Sequence, residues 1–131
     1  MTPLERQGGL LLRVGGALRF VPATVALRVA PPPRLTRVPG APPEFAGIAM
    51  HEGFVVPVVA VGSETGNMIV CQHGGELVAV VGAEIVSTGS FGITTDGTGR
   101  VEHEGCAVEP FDLATVYAYV QSGARRGGWG N

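Results

Sequence analysis

Short segments in which apolar and polar residues alternate cover much of the chain, and glycine-containing pairs separate them. Leu12 and Val14 precede Gly15-Gly16, and the alternation resumes at Leu18 and Phe20. A glycine pair between alternating segments is typical of a β-hairpin, because glycine adopts positive φ at both turn positions without a steric penalty. This region therefore predicts two antiparallel strands joined by a two-residue turn.

The same arrangement occurs twice more. Residues 68–72 and 77–81 flank Gly74-Gly75, and residues 101–103 and 106–108 flank Glu104-Gly105. Each predicts a further hairpin. Residues 87–100 are instead rich in glycine, serine and threonine, which predicts a long loop.

Two other segments also have strand character. Val25, Leu27 and Val29 fall on one face of a predicted strand, with Ala26 and Arg28 on the other face. Residues 54–61 are mostly valine, which predicts a strand buried on both faces. Pro57 lies inside that strand and has no N–H for a ladder, so it indicates an edge or a bulge.

One amphipathic helix is predicted near the C-terminus. Its apolar positions recur at i, i+3, i+4 and i+7: Leu113, Val116, Tyr117 and Val120. Asp112 is a good N-cap, Gly123 suits the C-terminal stop, and Tyr119 falls on the exposed face. Many short strands with one short helix predict a mainly β protein built from small antiparallel barrels.

Composition narrows the possible functions. The chain has 131 residues, with nine basic and eleven acidic side chains and a net charge of −2. All the basic residues are arginine, which excludes a phosphate-loop lysine, a Schiff-base lysine and a lysine general base. The near-neutral charge argues against nonspecific binding to nucleic acid. No stretch reaches the roughly 18 apolar residues of a membrane span, so we expect no membrane insertion.

The two cysteines raise the question of a metal site. Cys71 and His73 form one pair and His103 and Cys106 another, and two sulfur with two nitrogen donors would suit tetrahedral zinc. The spacings match no common zinc module, so buried cysteines and histidines near turns are the simpler interpretation. Without a disulfide framework or an export signal, we expect reduced thiols and a cytoplasmic protein. No catalytic motif is present, and we expect no enzyme activity, cofactor or metal.

A central block of the sequence resembles the CheW-like domain family. Residues 35–43 (LTRVPGAPP) match its proline-bracketed loop, and Gly47-Ile48 matches its glycine-hydrophobic turn. Gly53 ends the family's four-residue turn, and residues 55–58 (VVPV) match its Pro-Val strand. Weaker similarity on both sides extends the resemblance to residues 9–121.

The resemblance implies two intertwined small SH3-like β-barrels with a shared core and a short C-terminal helix. Flexible tails are expected at residues 1–8 and 122–131. The family's members are non-catalytic scaffolds of bacterial chemosensory arrays. They couple the hairpin tip of a methyl-accepting chemoreceptor to the regulatory domain of a CheA-type histidine kinase. Because that domain shares the fold, other CheW-like proteins are also expected partners.

This sequence departs from the family pattern in its charges. Arg28 falls where the family usually has an acidic residue, and Glu52 falls where it has an arginine; Met50 replaces an asparagine. We hypothesise that Arg28 and Glu52 still form an ion pair, with inverted order. By their correspondence to the family's groove, the expected receptor-binding residues are Ala26, Arg28, Gly47, Met50 and Glu52.

A further departure follows the Pro-Val strand. Ala60 stands where the family has aspartate, and the next connector shrinks to about residues 62–67. The leading function is therefore a coupling adaptor. The alternative is a divergent accessory member that joins the array, or recruits another partner, without bridging receptor and kinase. A third possibility is a small-ligand or metal-binding β-barrel unrelated to signalling.

Overall fold

The computed structural model describes residues 5–127, of which 122–127 are described by their backbone alone. This part of the chain forms ten strands and one helix, α1 (Leu113–Gly127). The strands are β1 (Arg6–Val14), β2 (Ala17–Pro22), β3 (Ala26–Ala30), β4 (Phe45–His51), β5 (Phe54–Ala60), β6 (Met68–His73), β7 (Glu76–Val81), β8 (Glu84–Ile93), β9 (Val101–His103) and β10 (Cys106–Pro110). No helix in the described range is long and apolar enough to cross a membrane. The predicted mainly β architecture with a C-terminal helix is confirmed.

Five strands form a closed barrel in the order β1-β2-β10-β9-β8, with β1 pairing to β8. The predicted hairpins at Gly15-Gly16 and Glu104-Gly105 join β1 to β2 and β9 to β10. The Phe20 and Phe91 rings meet edge to face in the interior, with centroids 5.8 Å apart. Closure leaves this barrel without the free edges that invite association with other chains.

The prediction of a loop over residues 87–100 is wrong for residues 87–93. β8 extends to Ile93, and only residues 94–100 form a loop. β8 pairs with β1 along its length and with β9 at its end. Ladder hydrogen bonds use backbone groups, so residues of weak strand preference form a strand when partner strands are already in place.

The other five strands form a sheet in the order β3-β6-β7-β5-β4, so β3 and β4 are its two edges. The predicted hairpin at Gly74-Gly75 joins β6 to β7. At Pro57 the strand β5 pairs only with β4, because its ladder with β7 begins at Val58. The proline thus lies where its missing N–H breaks no ladder bond with β7, as its sequence position indicated.

The two β units are intertwined, because the chain leaves the barrel after β2, builds the whole second sheet, and returns at β8. Residues from both units meet in one shared cluster with the helix. Its buried members are Leu12, Val21, Phe45, Val59, Ile69, Cys71, Val78, Val80, Leu113, Val116 and Val120. Burying this apolar surface in common ties the units into one fold.

The helix begins as predicted but continues further. The Thr115 N–H donates to Asp112 Oδ1 at 3.1 Å, which confirms the N-cap. Tyr117 was expected in the core and Tyr119 in solvent, but both are half-buried, and it is Tyr119 that packs against the shared cluster. The helix passes through Gly123 to Gly127, since a single glycine costs only about 1 kcal/mol in a helix and does not necessarily end it.

The ordered elements also begin earlier than expected. β1 starts at Arg6, so residues 6–8 of the expected N-terminal tail belong to the barrel, where they pair with β8. Residues 122–127 of the expected C-terminal tail are helical. The flexibility expected of residues 1–4 and 128–131 concerns positions outside the described residues.

Candidate partner-binding surface

The tip of the β4–β5 hairpin places Glu52 at the apex of a two-residue turn. His51 pairs with Phe54 across the turn, while Glu52 and Gly53 have φ of 50° and 83°. Positive φ at both central positions is the geometry of the tight hairpin turns that match strand twist. Glycine adopts a positive φ without steric strain, whereas Glu52 adopts it at a steric cost.

The predicted ion pair between Arg28 and Glu52 is present. Arg28 Nη1 donates to Glu52 Oε1, which connects edge strand β3 to the tip of the β4–β5 hairpin. His51 Nε2 lies 3.8 Å from Glu52 Oε2 on the same carboxylate. The two side chains of the pair are 58% and 55% exposed, so solvent screening limits its contribution to stability to about 0–1 kcal/mol.

The hairpin separates two clefts, because consecutive strand residues point to opposite faces of a sheet. The inner cleft is lined by Leu27, Arg28, His51, Glu52, Phe54, Val70 and Leu77. The outer cleft is lined by Arg34, Thr36, Ile48, Ala49, Met50 and Val55. Arg28 and Glu52 therefore share one cleft, while Met50, expected on the same surface, lies in the other.

The two remaining expected contact residues offer little side-chain surface. Ala26 is half-buried and packs against the shared cluster. Gly47 is buried with φ of 146°, and a Cβ at this position would lie 2.5 Å from the Thr36 carbonyl oxygen. Glycine is required at this position because the absence of a Cβ allows the connector after β3 to approach the backbone of β4 closely.

Several apolar residues that the sequence pattern does not single out are exposed on this surface. Leu27 and Val29 are 49% and 39% exposed, because a register shift between Ala26 and Arg28 disrupts the expected alternation. Phe54 and Val55 are 65% and 58% exposed, although their segment was expected to be buried on both faces. They precede the ladder between β5 and β7, and no signal in the periodicity distinguishes them from the buried valines that follow.

A second ion pair fixes the short connector after β5. Arg37 donates through both terminal nitrogens to the Glu64 carboxylate, with Nη1 at 2.8 Å from Oε1. This hydrogen bonding raises the pKa of Arg37 and lowers the pKa of Glu64. Gly62 approaches Gly82 so closely that a Cβ would lie 2.9 Å from its carbonyl oxygen. The connector is therefore a compact link held to its neighbours.

The proposed zinc ligands do not come together as two adjacent pairs. Cys71 lies in β6 of the second sheet, whereas Cys106 begins β10 of the barrel. Burial raises the pKa of the Cys71 thiol to about 12, so it is protonated near neutral pH. The His73 ring packs against the Tyr117 ring at a tilt of 40°, with centroids 4.8 Å apart. Within the described residues, no group of three or more His, Cys, Asp or Glu side chains could hold a metal ion.

Comparison with known proteins gives a consistent result for sequence and fold. The family model of the CheW-like domain matches residues 8–102. The structure is similar to that of the scaffolding protein TtCheW from Thermoanaerobacter tengcongensis, with 14% sequence identity and a TM-score of 0.65. This similarity covers 82% of the present chain and 87% of TtCheW. A search of curated proteins finds no match.

Proposed function

The chain belongs to the CheW-like domain family, and we propose that it is a non-catalytic adaptor of a cytoplasmic bacterial chemosensory array. Its partners in this role are the helical hairpin tip of a methyl-accepting chemoreceptor and the regulatory domain of a CheA-type histidine kinase. Other CheW-like proteins are further candidate neighbours. The adaptor holds receptor and kinase together, and a change in one reaches the other through its two contact surfaces.

The observation that carries this proposal is the exposed surface around the β4–β5 hairpin tip. Met50, Phe54 and Val55 expose more than half of their side-chain surface there, beside the Arg28–Glu52 ion pair. A group of large exposed apolar residues with a charged border is typical of a protein–protein contact. The two edge strands of the second sheet, β3 and β4, lie beside the same surface, and Thr36 is bonded to β4 at Ile48.

The chemistry of the described side chains supports a binding role. The Cys71 thiol is buried and protonated, which removes its capacity as a nucleophile. Cys106 is exposed, but it lies on the barrel rather than in either hairpin cleft. The candidate metal-binding barrel has no support in a ligand group of the described residues.

Two observations favour the accessory alternative over full coupling. The Arg28–Glu52 pair presents its charges in the opposite order from that expected for the family, so a partner adapted to the usual order would meet repulsion. The connector between β5 and β6 is also short and held by the Arg37–Glu64 pair. An accessory adaptor would keep one array contact and lose or redirect the other.

Calorimetric titration of the full chain against each partner separately tests the proposal. The titrants are the purified kinase regulatory domain and the purified receptor hairpin. Binding of both supports a coupling adaptor, and binding of one supports the accessory function. Binding of neither contradicts the adaptor function for these partners.

A charge-exchange series then tests the role of the ion pair in recognition. Glu52→Arg places two arginines together and is expected to weaken receptor binding. Adding Arg28→Glu restores the internal attraction in the family's usual order. If the two substitutions have independent, additive effects, the pair has no role as a unit.

A further inference from the structure

The loop between β8 and β9 contains a peptide bond of a kind that rearranges in flexible chains. The chain has two aspartates, Asp96 and Asp112, and Asp96 alone is followed by a glycine. The main-chain nitrogen after an aspartate can attack the aspartate carboxyl group, and glycine favours this attack because it has no Cβ to hinder the approach. Asp96 and Gly97 are both exposed, so water reaches the bond between them.

The reaction is an intramolecular rearrangement in which water is the only other reactant. The Gly97 nitrogen forms a bond to Asp96 Cγ, the bond from Cγ to its hydroxyl oxygen breaks, and the hydroxyl leaves with the amide proton as water. The product is a cyclic imide, the succinimide. Water then adds to one of the imide carbonyl carbons. Addition at the main-chain carbonyl breaks the bond from that carbon to nitrogen and leaves the chain connected through Cγ, as isoaspartate.

In the folded chain, three donors hold one oxygen of the Asp96 carboxylate. The Thr94 hydroxyl donates to Oδ1 at 2.7 Å, and the Thr98 hydroxyl and N–H donate to the same oxygen at 2.6 and 3.1 Å. Among the described residues, Arg100 is the charged group that faces Asp96, with Nη1 at 3.9 Å from Oδ2. Arg100 Nε in turn lies 2.7 Å from Glu109 Oε1 on β10, which connects the loop to the barrel.

These hydrogen bonds oppose ring closure in two ways. The hydroxyl can leave only from the protonated carboxyl group, because an ionised carboxylate has no good leaving group. Hydrogen bonds from Thr98 and Thr94 lower the pKa of Asp96 to about 2, so the reactive protonated form is rarer than in the unfolded chain. The same bonds restrict the rotation of the side chain that ring closure requires.

We propose that Asp96–Gly97 is the site of isoaspartate formation in this chain and that the Thr94 and Thr98 hydroxyls suppress the reaction while the loop is folded. The inference is independent of the adaptor function, because it requires no partner. Isoaspartate lengthens the main chain by a methylene group and moves the carboxylate to Cα, which breaks the hydrogen bonds to it. The loop closes the short ladder between β8 and β9, so the modification is expected to destabilise the barrel.

The test follows isoaspartate formation in the purified full chain by peptide mapping, with chromatography to separate peptides of equal mass. At about pH 5, which is above the ordinary aspartate pKa of about 4, the chain unfolded in urea should react at residue 96 about 10- to 100-fold faster than the folded chain. This range is the ratio of the protonated fractions in the two states.

Hydroxyl-deletion variants test the role of the two threonines. The folded double variant Thr94→Val/Thr98→Val should react about tenfold faster than the folded unmodified chain or more, since it loses two of the three donors. Thr98→Ser keeps a hydroxyl and should remain slow. Thr95→Val is the matched control, because Thr95 is exposed in the same loop and makes no hydrogen bond with any residue the structure describes.

The pH dependence separates ionisation from loop flexibility. In the folded unmodified chain, the rate should continue to rise as the pH falls below the ordinary pKa of about 4, whereas in the unfolded chain it should level off near that value. Circular dichroism at each pH establishes that the fold is intact. If the double variant does not fold, Thr98→Val replaces it, with a smaller acceleration expected because the Thr94 hydroxyl remains.

Several results would overturn the inference. Equal rates in the folded and unfolded chain would show that the loop gives no protection. Equal rates in Thr95→Val and the hydroxyl-deletion variant would remove the role of the two hydroxyls, and a folded chain whose rate levels off at the ordinary pKa would exclude suppression by ionisation. Isoaspartate at other positions and none at residue 96 in the unfolded chain would place the site elsewhere.

Discussion

The coupling between Arg28 and Glu52 can be measured against an internal control that the chain itself provides. The sequence His-Glu-Gly occurs at two hairpin turns, as residues 51–53 and 103–105. Glu52 and Glu104 have nearly the same backbone conformation, with φ of 50° and 51°. Both carboxylates lie about 4 Å from the preceding histidine, at 3.8 and 4.0 Å, but only Glu52 pairs with an arginine.

Replacing either glutamate with glycine changes the backbone contribution to the free energy of unfolding by the same amount. The left-handed conformation costs a non-glycine residue about 1–2 kcal/mol, which glycine relieves. Glycine also raises the entropy of the unfolded chain, which costs about 0.4–1 kcal/mol. Glu104→Gly is therefore expected to stabilise the fold slightly. Glu52→Gly gains the same amount but loses the pair with Arg28, whose exposed position limits its value to about 0–1 kcal/mol.

The assay is a double-mutant cycle in urea, followed by circular dichroism. It combines Arg28→Ala with Glu52→Gly and, as the control, with Glu104→Gly. We expect a coupling free energy of a few tenths to about 1 kcal/mol in the first cycle and none in the second. In 1 M salt the coupling should shrink, because the Debye length falls to about 3 Å.

One result would refute this reasoning directly. If the coupling of Arg28 with Glu52 were no larger than its coupling with Glu104 at low salt, the ion pair would contribute nothing to stability. The inverted order of the two charges would then affect only the electrostatic field that the surface presents to a partner. The cycle thus separates the pair's contribution to stability from its contribution to recognition.

Three further predictions concern single positions. Gly47→Ala should destabilise the fold by about 1–3 kcal/mol more than Gly89→Ala in urea unfolding, because both have nearly equal φ (146° and 147°) but only the first Cβ meets a backbone oxygen; equal effects would show that the connector moves away freely. Cys106 should react with a thiol reagent near neutral pH while Cys71 stays protected until the protein unfolds, since burial raises the pKa of Cys71 to about 12; equal rates by mass spectrometry would contradict its burial. Hydrogen bonds at the helix N-terminus lower the pKa of Asp112. The ionised carboxylate therefore stabilises the fold above its ordinary pKa of about 4, and this stabilisation is lost as the pH falls through the lowered pKa. Asp112→Ala should lower the melting temperature at pH 7 but not at a pH below the lowered pKa, and an equal decrease at the two pH values would refute the capping role.

The sequence by itself determined the features whose cause is local. Glycine-containing pairs at Gly15-Gly16, Gly74-Gly75 and Glu104-Gly105 specified three hairpins, because positive φ at two successive positions admits few residue types. Asp112 specified the start of the helix, because its carboxylate accepts hydrogen bonds from residues just ahead of it. The central block added the family resemblance, and with it the expectation that Arg28 and Glu52 meet.

Tertiary structure alone decided which apolar residues are exposed. Strand β8 formed because β1 and β9 offered it ladder partners, although its own residues favour a loop. Val55 and Val56 look alike in sequence, yet one is exposed and the other is fully buried. The exposure of a strand residue depends on where the neighbouring strands begin and end. Residues distant in the sequence determine those positions. For the same reason, only the folded chain shows that Met50 and Val55 line one cleft while Arg28 and Glu52 line the other.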